Sequence, residues 1–388
     1  MSVALTAVVA RARGLPLADL IRILSAQSFK FAPKFLKYCF FLLFLFQFRS
    51  WPLAWHFFVW RPVFKLRGHY RLTRLLYTFS SAKVRQQKMD EWIESLSHVG
   101  VNPFDLLVDF KTWAGPDDCD YNLHLSNSSY PKRLDATRMK LGLQLCPTLF
   151  RVGGWMGLGA THFTFLREIP MFSKYEMRTS VMSWDNKWMY IVTRFVTKRK
   201  KGGKHSSAKL PSNARAIDTA PSASVHTANG LTTGSSTPLA APMSAQAAAA
   251  QLLERPEPDG ALINCLAVSE VVCKVGRITV PPALVLAIDG FCRGPAATSA
   301  AATAPYSHAN PPPHWAHVQR LIGSGAGLDD KRGLRALRDF MAAGWREVPE
   351  GERWWEDAMA GEVEERRVRG LGCMQAVRNG MEEARTIL

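Results

Sequence analysis

The densest group of side chains able to do chemistry is Asp118, Asp120, His124, Asn127, Ser128, Ser129 and Tyr130, all within 13 consecutive residues. Carboxylates and an imidazole stand just ahead of a predicted helix start. Such an end presents unpaired backbone N–H groups and partial positive charge, which polarise a carbonyl oxygen and stabilise the anion that develops on it. A carboxylate beside the same carbonyl either attacks it or deprotonates a water that does. Those are the parts needed to cleave a thioester. Each residue also has a structural use: Asp120 in a turn or cap, His124 in a loop hydrogen bond, Asn127 as the N-cap, Tyr130 in packing. No second ligand stands at helical or loop spacing from His124, so no metal is predicted. Cys119 has no helper except His124, and a cysteine nucleophile is not predicted either.

The elements that must position this group are legible on both sides of it. Residues 105–113 (DLLVDFKTW) read as a strand. The run 127–145 (NSSYPKRLDATRMKLGLQL) reads as a helix, with Asn and Ser before Pro131 and apolar Leu134, Met139, Leu141 and Leu145 along it. Three β-rich segments follow at 160–166, 175–184 and 188–198, the last two joined by a turn at Asn186-Lys187, so a hairpin is expected. Residues 261–275 read as a further strand. Residues 281–290 read as a short helix with Pro at its start and Gly at its end.

Between these lies 200–260, rich in Ser, Thr, Ala, Pro and Gly, which cannot bury enough surface to offset its ordering entropy and is expected to be a disordered insertion splitting one domain. A low-complexity linker at 294–313 leads to a helical C-terminal extension, 314–388. Its stretch 352–388 carries apolar Trp354, Met359, Val363, Leu371, Met374, Val377 and Met381 at near-helical spacing and is expected to pack on its own domain. No internal repeat is present. Gly153-Gly154, Gly157 and Gly159 do not keep the spacing of a dinucleotide-binding loop.

The formal charge is +17 over 388 residues, with 47% hydrophobic residues, which excludes a wholly disordered chain or a collagen-like repeat. Residues 1–89 hold fifteen Lys or Arg and one acid, Asp19, and so carry +14 of that total. Their basic residues flank apolar runs at 35–48 and 51–64, and Trp51, Trp55 and Trp60 stand beside Arg49, Arg61, Lys65 and Arg67, the pattern of an aromatic and basic belt at a headgroup surface. The run FLKYCFFLLFLFQF is about 14 residues, short of the roughly 20 a spanning helix needs. Residues 1–100 are therefore expected to be a membrane-anchor region that is tilted, broken or interfacial. Nucleic acid is not an expected partner, because the aromatics come in apolar blocks and are not interleaved with the basic residues on a sheet. The first thirty residues also read as a mitochondrial presequence. The seven cysteines contain no CxxC pair and read as reduced, partly buried thiols.

The spacing D-x-D-x-x-x-H-x-x-N-x-x-Y from Asp118 to Tyr130, continued through Asp135 and Arg138, resembles the hotdog-fold thioesterases of the hydroxybenzoyl-CoA thioesterase type. It is most similar to the membrane-tethered thioesterase superfamily member branch. The block from Pro170 through Tyr175, Glu176, Arg178 and Thr179, then Trp184-Asp185, Tyr190 and Arg194-Phe195-Val196, is similar to that branch's paired strands. The resemblance covers 104–198, and more weakly 261–290. It implies an α+β hotdog fold over 101–293, a central helix wrapped by a curved antiparallel sheet, with a homodimer and sites at the dimer interface. It implies acyl-CoA thioesterase activity with no cofactor, Asp120 as nucleophile or general base, His124 beside it, and the helix start at Asn127, Ser128, Ser129 and Tyr130 binding the thioester carbonyl. Such proteins usually have Gly before the motif His, where this chain has Leu123. Lys132, Arg133 and Lys140 are candidates for CoA phosphates only by charge and position, and the reading favoured for them is a solvated helix face with no function. The expected location is a membrane, the endoplasmic reticulum facing the cytosol, with the mitochondrion as the alternative. Two competing functions stand beside hydrolysis: a non-catalytic membrane-associated scaffold that binds lipid or a partner, and a hotdog dehydratase acting on hydroxyacyl thioesters.

Overall fold

The computed structural model describes residues 33–198, 257–294, 304–322 and 331–387. The expected disordered insertion at 200–260 lies outside the described residues up to 256, as does the presequence reading of the first thirty residues. Residues Met1–Phe58 and Val59–Leu388 are two compact units. In the first, helix α1 (Lys34–Phe46) has no buried residue, and its Phe44 ring stacks on Trp51 at 4.7 Å while Trp51 Nε1 donates to the Phe44 carbonyl at 2.8 Å. Its 13 residues rise about 20 Å. Among the described residues no helix is long and apolar enough to cross a membrane. Helix α2 (Ala54–Leu76) carries Pro62 within it, and α3 (Ala82–Glu94) starts where the Ser81 hydroxyl accepts from the Val84 N–H.

The second unit is built on a six-stranded antiparallel sheet. Its strands are β1 (Val108–Trp113), β2 (Trp155–Phe165), β3 (Lys174–Trp184), β4 (Trp188–Thr197), β5 (Leu262–Val275) and β6 (Ile278–Val280), in the order β1-β3-β4-β5-β2 with β6 on β5. Helix α4 (Ser129–Leu145) lies against β3 and β1. It buries Tyr130, Leu134, Thr137, Leu141 and Leu145, positions three or four apart and so on one helical face. Along β3 buried residues alternate with partly exposed ones, the period-2 signature of a strand with one face on a core. The expected hotdog fold is thus the fold observed.

Turn chemistry closes the β3–β4 hairpin. Asp185 Oδ1 accepts from the Lys187 N–H at 2.7 Å and the Trp188 N–H at 2.6 Å, and its Oδ2 from the Tyr190 hydroxyl at 3.2 Å. Arg138 ties the helix to the sheet, with Asp135 at 2.8 Å, Thr161 Oγ1 at 2.7 Å and Ser269 Oγ at 3.1 Å.

Several boundaries depart from the sequence reading. The strand expected at 105–113 begins at Val108, because Pro103–Asp105 form a 3-10 turn whose Phe104 N–H bonds the Asn102 side chain. Strand β2 begins at Trp155, five residues before the expected start, through glycines that obscure its alternation. Gly159 sits at a register shift against β5, and a Cβ there would come 2.3 Å from the Trp188 ring. Helix α5 (Pro147–Arg151) is unanticipated, while the expected helix at 281–290 is α6 (Pro282–Ile288). The C-terminal run is two helices, α9 (Trp354–Ala358) and α10 (Glu362–Ile387), broken where Gly361 takes a φ of 63°. With α7 (Trp315–Ile322) and α8 (Lys331–Ala342), they share the main core, where Trp315, Leu337, Met341, Trp355 and Val363 pack with Leu141, Leu145 and Ile288. Helix α10 is fastened to β3 by Ser183 Oγ donating to the Arg367 carbonyl at 2.7 Å and Arg367 Nη1 to the Trp184 carbonyl at 2.8 Å. The described cysteines are free thiols.

The Asp289 carboxylate is fully buried and, among the described residues, lacks a cation bonded to it. Asp289 accepts from the Thr148 N–H at 3.1 Å through Oδ1, while Oδ2 has no partner, and burial pushes its pKa up to about 7. Arg151 and Thr148 pull the other way, by less. A folded-state value above the unfolded one stabilises the fold below about pH 4, and that contribution is lost as pH rises through 7. Asp289→Asn, which keeps the Thr148 bond without the charge, is expected to be more stable than the native chain at pH 8 and to lack this decline. Urea unfolding at pH 5 and pH 8 checks it; parallel pH dependence in the two proteins would contradict it.

Candidate active site

The loop between β1 and α4 is a tight, backbone-pinned excursion. Cys119 bridges Leu125 and His124 bridges Pro170 in antiparallel pairing. The Asp120 N–H donates to the His124 carbonyl and the Leu123 N–H to the Asp120 carbonyl, each at 3.0 Å. From the following strand connection, the Met171 N–H reaches the Leu123 carbonyl at 2.9 Å, while the Leu125 N–H bonds the Ile169 carbonyl at 2.8 Å. Below it lies a second core cluster in which Leu125, Tyr130, Leu134, Ile169 and Phe195 pack.

This folding brings Asp120 and His124 together. Asp120 Oδ1 lies 2.8 Å from His124 Nδ1 and also accepts the Asn122 N–H at 2.9 Å, an Asx turn. Both side chains are partly exposed, 27% and 20%, so they are held by protein on one side and open to a ligand on the other. Among the described residues Oδ2 of Asp120 accepts no hydrogen bond and is available to a reacting atom. The far ring nitrogen of His124 lies 3.5 Å from Glu168 Oε1, a residue that sequence reasoning missed. Glu168 is 77% exposed, so water screens this contact. It belongs to the β2–β3 connection, 44 residues downstream in the sequence, where no local pattern signals the contact.

Asp118, two residues earlier, does structural work. Its side chain is fully buried and forms an ion pair with Arg133, which is 5% exposed; Arg133 Nε donates to Oδ2 at 2.8 Å and Nη2 donates to the same oxygen. Lys132 Nζ lies 3.3 Å from the other oxygen, and the Asp118 carbonyl accepts the Ser126 N–H at 2.9 Å. The carboxylate thus ties the loop to the first turn of α4. This corrects both readings of Arg133, as a CoA-phosphate candidate and as part of a solvated helix face: its guanidinium is committed inside the protein. Lys140 also has a partner, donating to the Asp109 carbonyl of β1.

At the helix start, Ser128 holds the cap position without a side-chain capping bond, and Asn127 is exposed one residue further out, so the expected capping role of Asn127 is not realised. Ser128 Oγ instead pairs with Ser126 Oγ at 3.0 Å. Ser129 is buried, and its N–H is taken by the Ser126 carbonyl at 2.8 Å. Pro131 has no N–H. Among the described residues the Tyr130 N–H has no acceptor, which leaves it as a donor for a developing oxyanion. The Tyr130 ring is buried between Phe165 and Phe195, at 5.0 and 4.9 Å, and burial raises its phenol above the usual range, so it is a neutral packing group.

Leu123, in the place where the resembling proteins carry Gly, has a φ of 60° and is 65% exposed. A non-glycine side chain there costs about 1–2 kcal/mol. Leu123→Gly is expected to raise stability by up to about 1 kcal/mol, the remainder being offset by the looser unfolded chain. Urea unfolding checks this; a loss of stability would contradict it.

These features define the α+β hotdog class with an acid–imidazole pair on the loop entering the central helix. Residues 114–242 match the family model of the thioesterase-like superfamily. Over 91 residues it is 33% identical to "Probable thioesterase YBR096W" of Saccharomyces cerevisiae, covering 23% of this chain and 40% of that protein. Thioesterase lcsJ of Purpureocillium lilacinum is 34% identical over 110 residues, covering 23% and 35%. Protein THEM6 of Danio rerio is 31% identical over 85 residues, covering 21% and 41%. The chain therefore spans about two fifths or less of the length of these curated relatives.

Proposed function

We propose that the chain hydrolyses an acyl-CoA thioester to a free acid and CoA, with Asp120 as nucleophile or general base. The observation that carries this reading is the Asp120–His124 pair at 2.8 Å on the loop that enters α4. Asp120 either attacks the thioester carbonyl carbon, expelling the CoA thiolate and leaving an anhydride for water to open, or removes a proton from the attacking water. His124 and the Asn122 N–H hold Oδ1, so that Oδ2 meets the carbonyl carbon or the water. The Tyr130 N–H and the partial positive charge of α4 stabilise the oxyanion. Substrate binding falls to the helix start from Asn127 to Tyr130.

The active form proposed is a homodimer. Strand β2 pairs only with β5 among the described strands, and an edge carrying half-exposed Trp155, Leu158 and Phe165 favours a second copy. We also propose that the N-terminal region holds the protein on a membrane. Exposed Phe35, Tyr38, Phe40, Phe41, Leu42 and Phe44 on α1 support an interfacial mode.

Dehydration is the less favoured chemistry, because it pairs a His with a carboxylate across the substrate, whereas here the two groups bond each other. Incubating the full chain with 3-hydroxyacyl-CoA and saturated acyl-CoA, and following free thiol and enoyl absorbance together, separates the readings. Thiol release without enoyl formation is expected; enoyl formation without thiol would overturn the proposal in favour of the dehydratase.

A further inference from the structure

Beyond the opposite end of α4 from the Asp120 loop, a cavity of about 700 Å³ opens between the end of α5, the β5–β6 turn and helix α8. The helix separating the two places has 17 residues, about 25 Å of rise, so this cavity is remote from the acid–imidazole pair. Its walls include buried Val152 and Val275, and three arginines face it: Arg151 from α5, and Arg335 and Arg338 from one face of α8. The one acid lining it among the described residues is Asp339. Among the described residues the side chains of Arg335 and Arg338 form no ion pair or hydrogen bond with Asp339 or any other group, although Asp339 stands four residues after Arg335.

Arg335 and Arg338, with Arg151 beside them engaged by a partner of its own, put positive charge around a concavity with an apolar wall. A guanidinium presents paired N–H donors that match phosphate oxygens bidentately. The valines suit an apolar body attached to that phosphate. We propose that this cavity binds a phosphate-bearing amphiphile, held by Arg151, Arg335 and Arg338 and seated against Val152 and Val275. The phosphate is supplied either by a lipid headgroup or by a nucleotide. The site is built partly from the C-terminal extension, so it is a property of this chain and not of the matched region alone.

The test measures binding to the full chain at fixed ionic strength with three probes: short-chain phosphatidic acid below its micelle concentration, phosphatidylcholine with the same chains, and ADP. Arg335→Gln/Arg338→Gln removes two of the three guanidiniums at exposed positions. Arg320→Gln/Arg346→Gln makes the same change in net charge outside the cavity. Phosphatidic acid is expected to bind, at least tenfold more weakly to the cavity double variant and unchanged to the control. The same pattern with ADP in place of phosphatidic acid assigns the site to a nucleotide phosphate. The proposal is overturned if neither phosphate binds, if both double variants weaken binding equally, or if phosphatidylcholine binds as well as phosphatidic acid.

Discussion

If the proposed chemistry holds, Asp120→Asn is expected to release CoA from acyl-CoA with a kcat lower by about a hundredfold to ten-thousandfold, the range associated with loss of a positioned acid–base group. The amide keeps an oxygen for the Asn122 N–H and fills the same space beside His124, so loop and fold survive. What disappears is the negative charge at Oδ2, the atom proposed to attack the carbonyl or take the proton from water. Because the lost interaction is made in the transition state, KM changes far less than kcat. His124→Ala removes a side chain that restrains the carboxylate and leaves the carboxylate itself, so its loss is smaller. Steady-state thiol release by both variants beside the native chain provides the comparison. An Asp120→Asn kcat within tenfold of native would show that Asp120 takes no part in the chemistry.

Arg133→Ala carries the largest expected effect on stability. Asp118 has a fully buried side chain, and Arg133 donates two hydrogen bonds to one of its oxygens. Removing the guanidinium strands a buried carboxylate with Lys132 as its remaining cation, a change that costs about 3–5 kcal/mol when a buried pair is broken from one side. The damage reaches catalysis, because the same pair fastens the Asp120 loop to the first turn of α4. Asp118→Asn combined with Arg133→Met removes the charge with its partner and is expected to recover part of that loss. Urea unfolding of the single and double variants measures it. A single variant within about 1 kcal/mol of native would mean that the pair does not hold the loop.

The sequence displays what is periodic and local. Helix α4 could be read from Leu134, Leu141 and Leu145 and from Pro131 near its start, and the β3–β4 hairpin from alternation on either side of Asn186-Lys187. The Asp120–His124 spacing was legible because the contact spans four residues within one loop. What escaped reading depends on distant partners. The first half of β2 has glycines where alternation would show, and its pairing is decided by β5, more than a hundred residues downstream. Arg133 looked like a solvated cation because nothing in its own turn of helix reveals Asp118 packed against it, 15 residues earlier. Glu168 meets His124 only because the β2–β3 connection folds back beside the loop. Asn127 carried the best capping side chain, yet the first turn begins two residues later, with Ser126 and Ser128 bonding each other.

The most direct test of the account is thiol release from short, long and aromatic acyl-CoAs by the full chain, run beside Asp120→Asn with the folding of both checked by circular dichroism. The account predicts release from at least one acyl class by the native chain and its collapse in the variant. No release from any acyl-CoA by a folded native chain would contradict it, and the protein would then be a scaffold that keeps the fold without the hydrolysis.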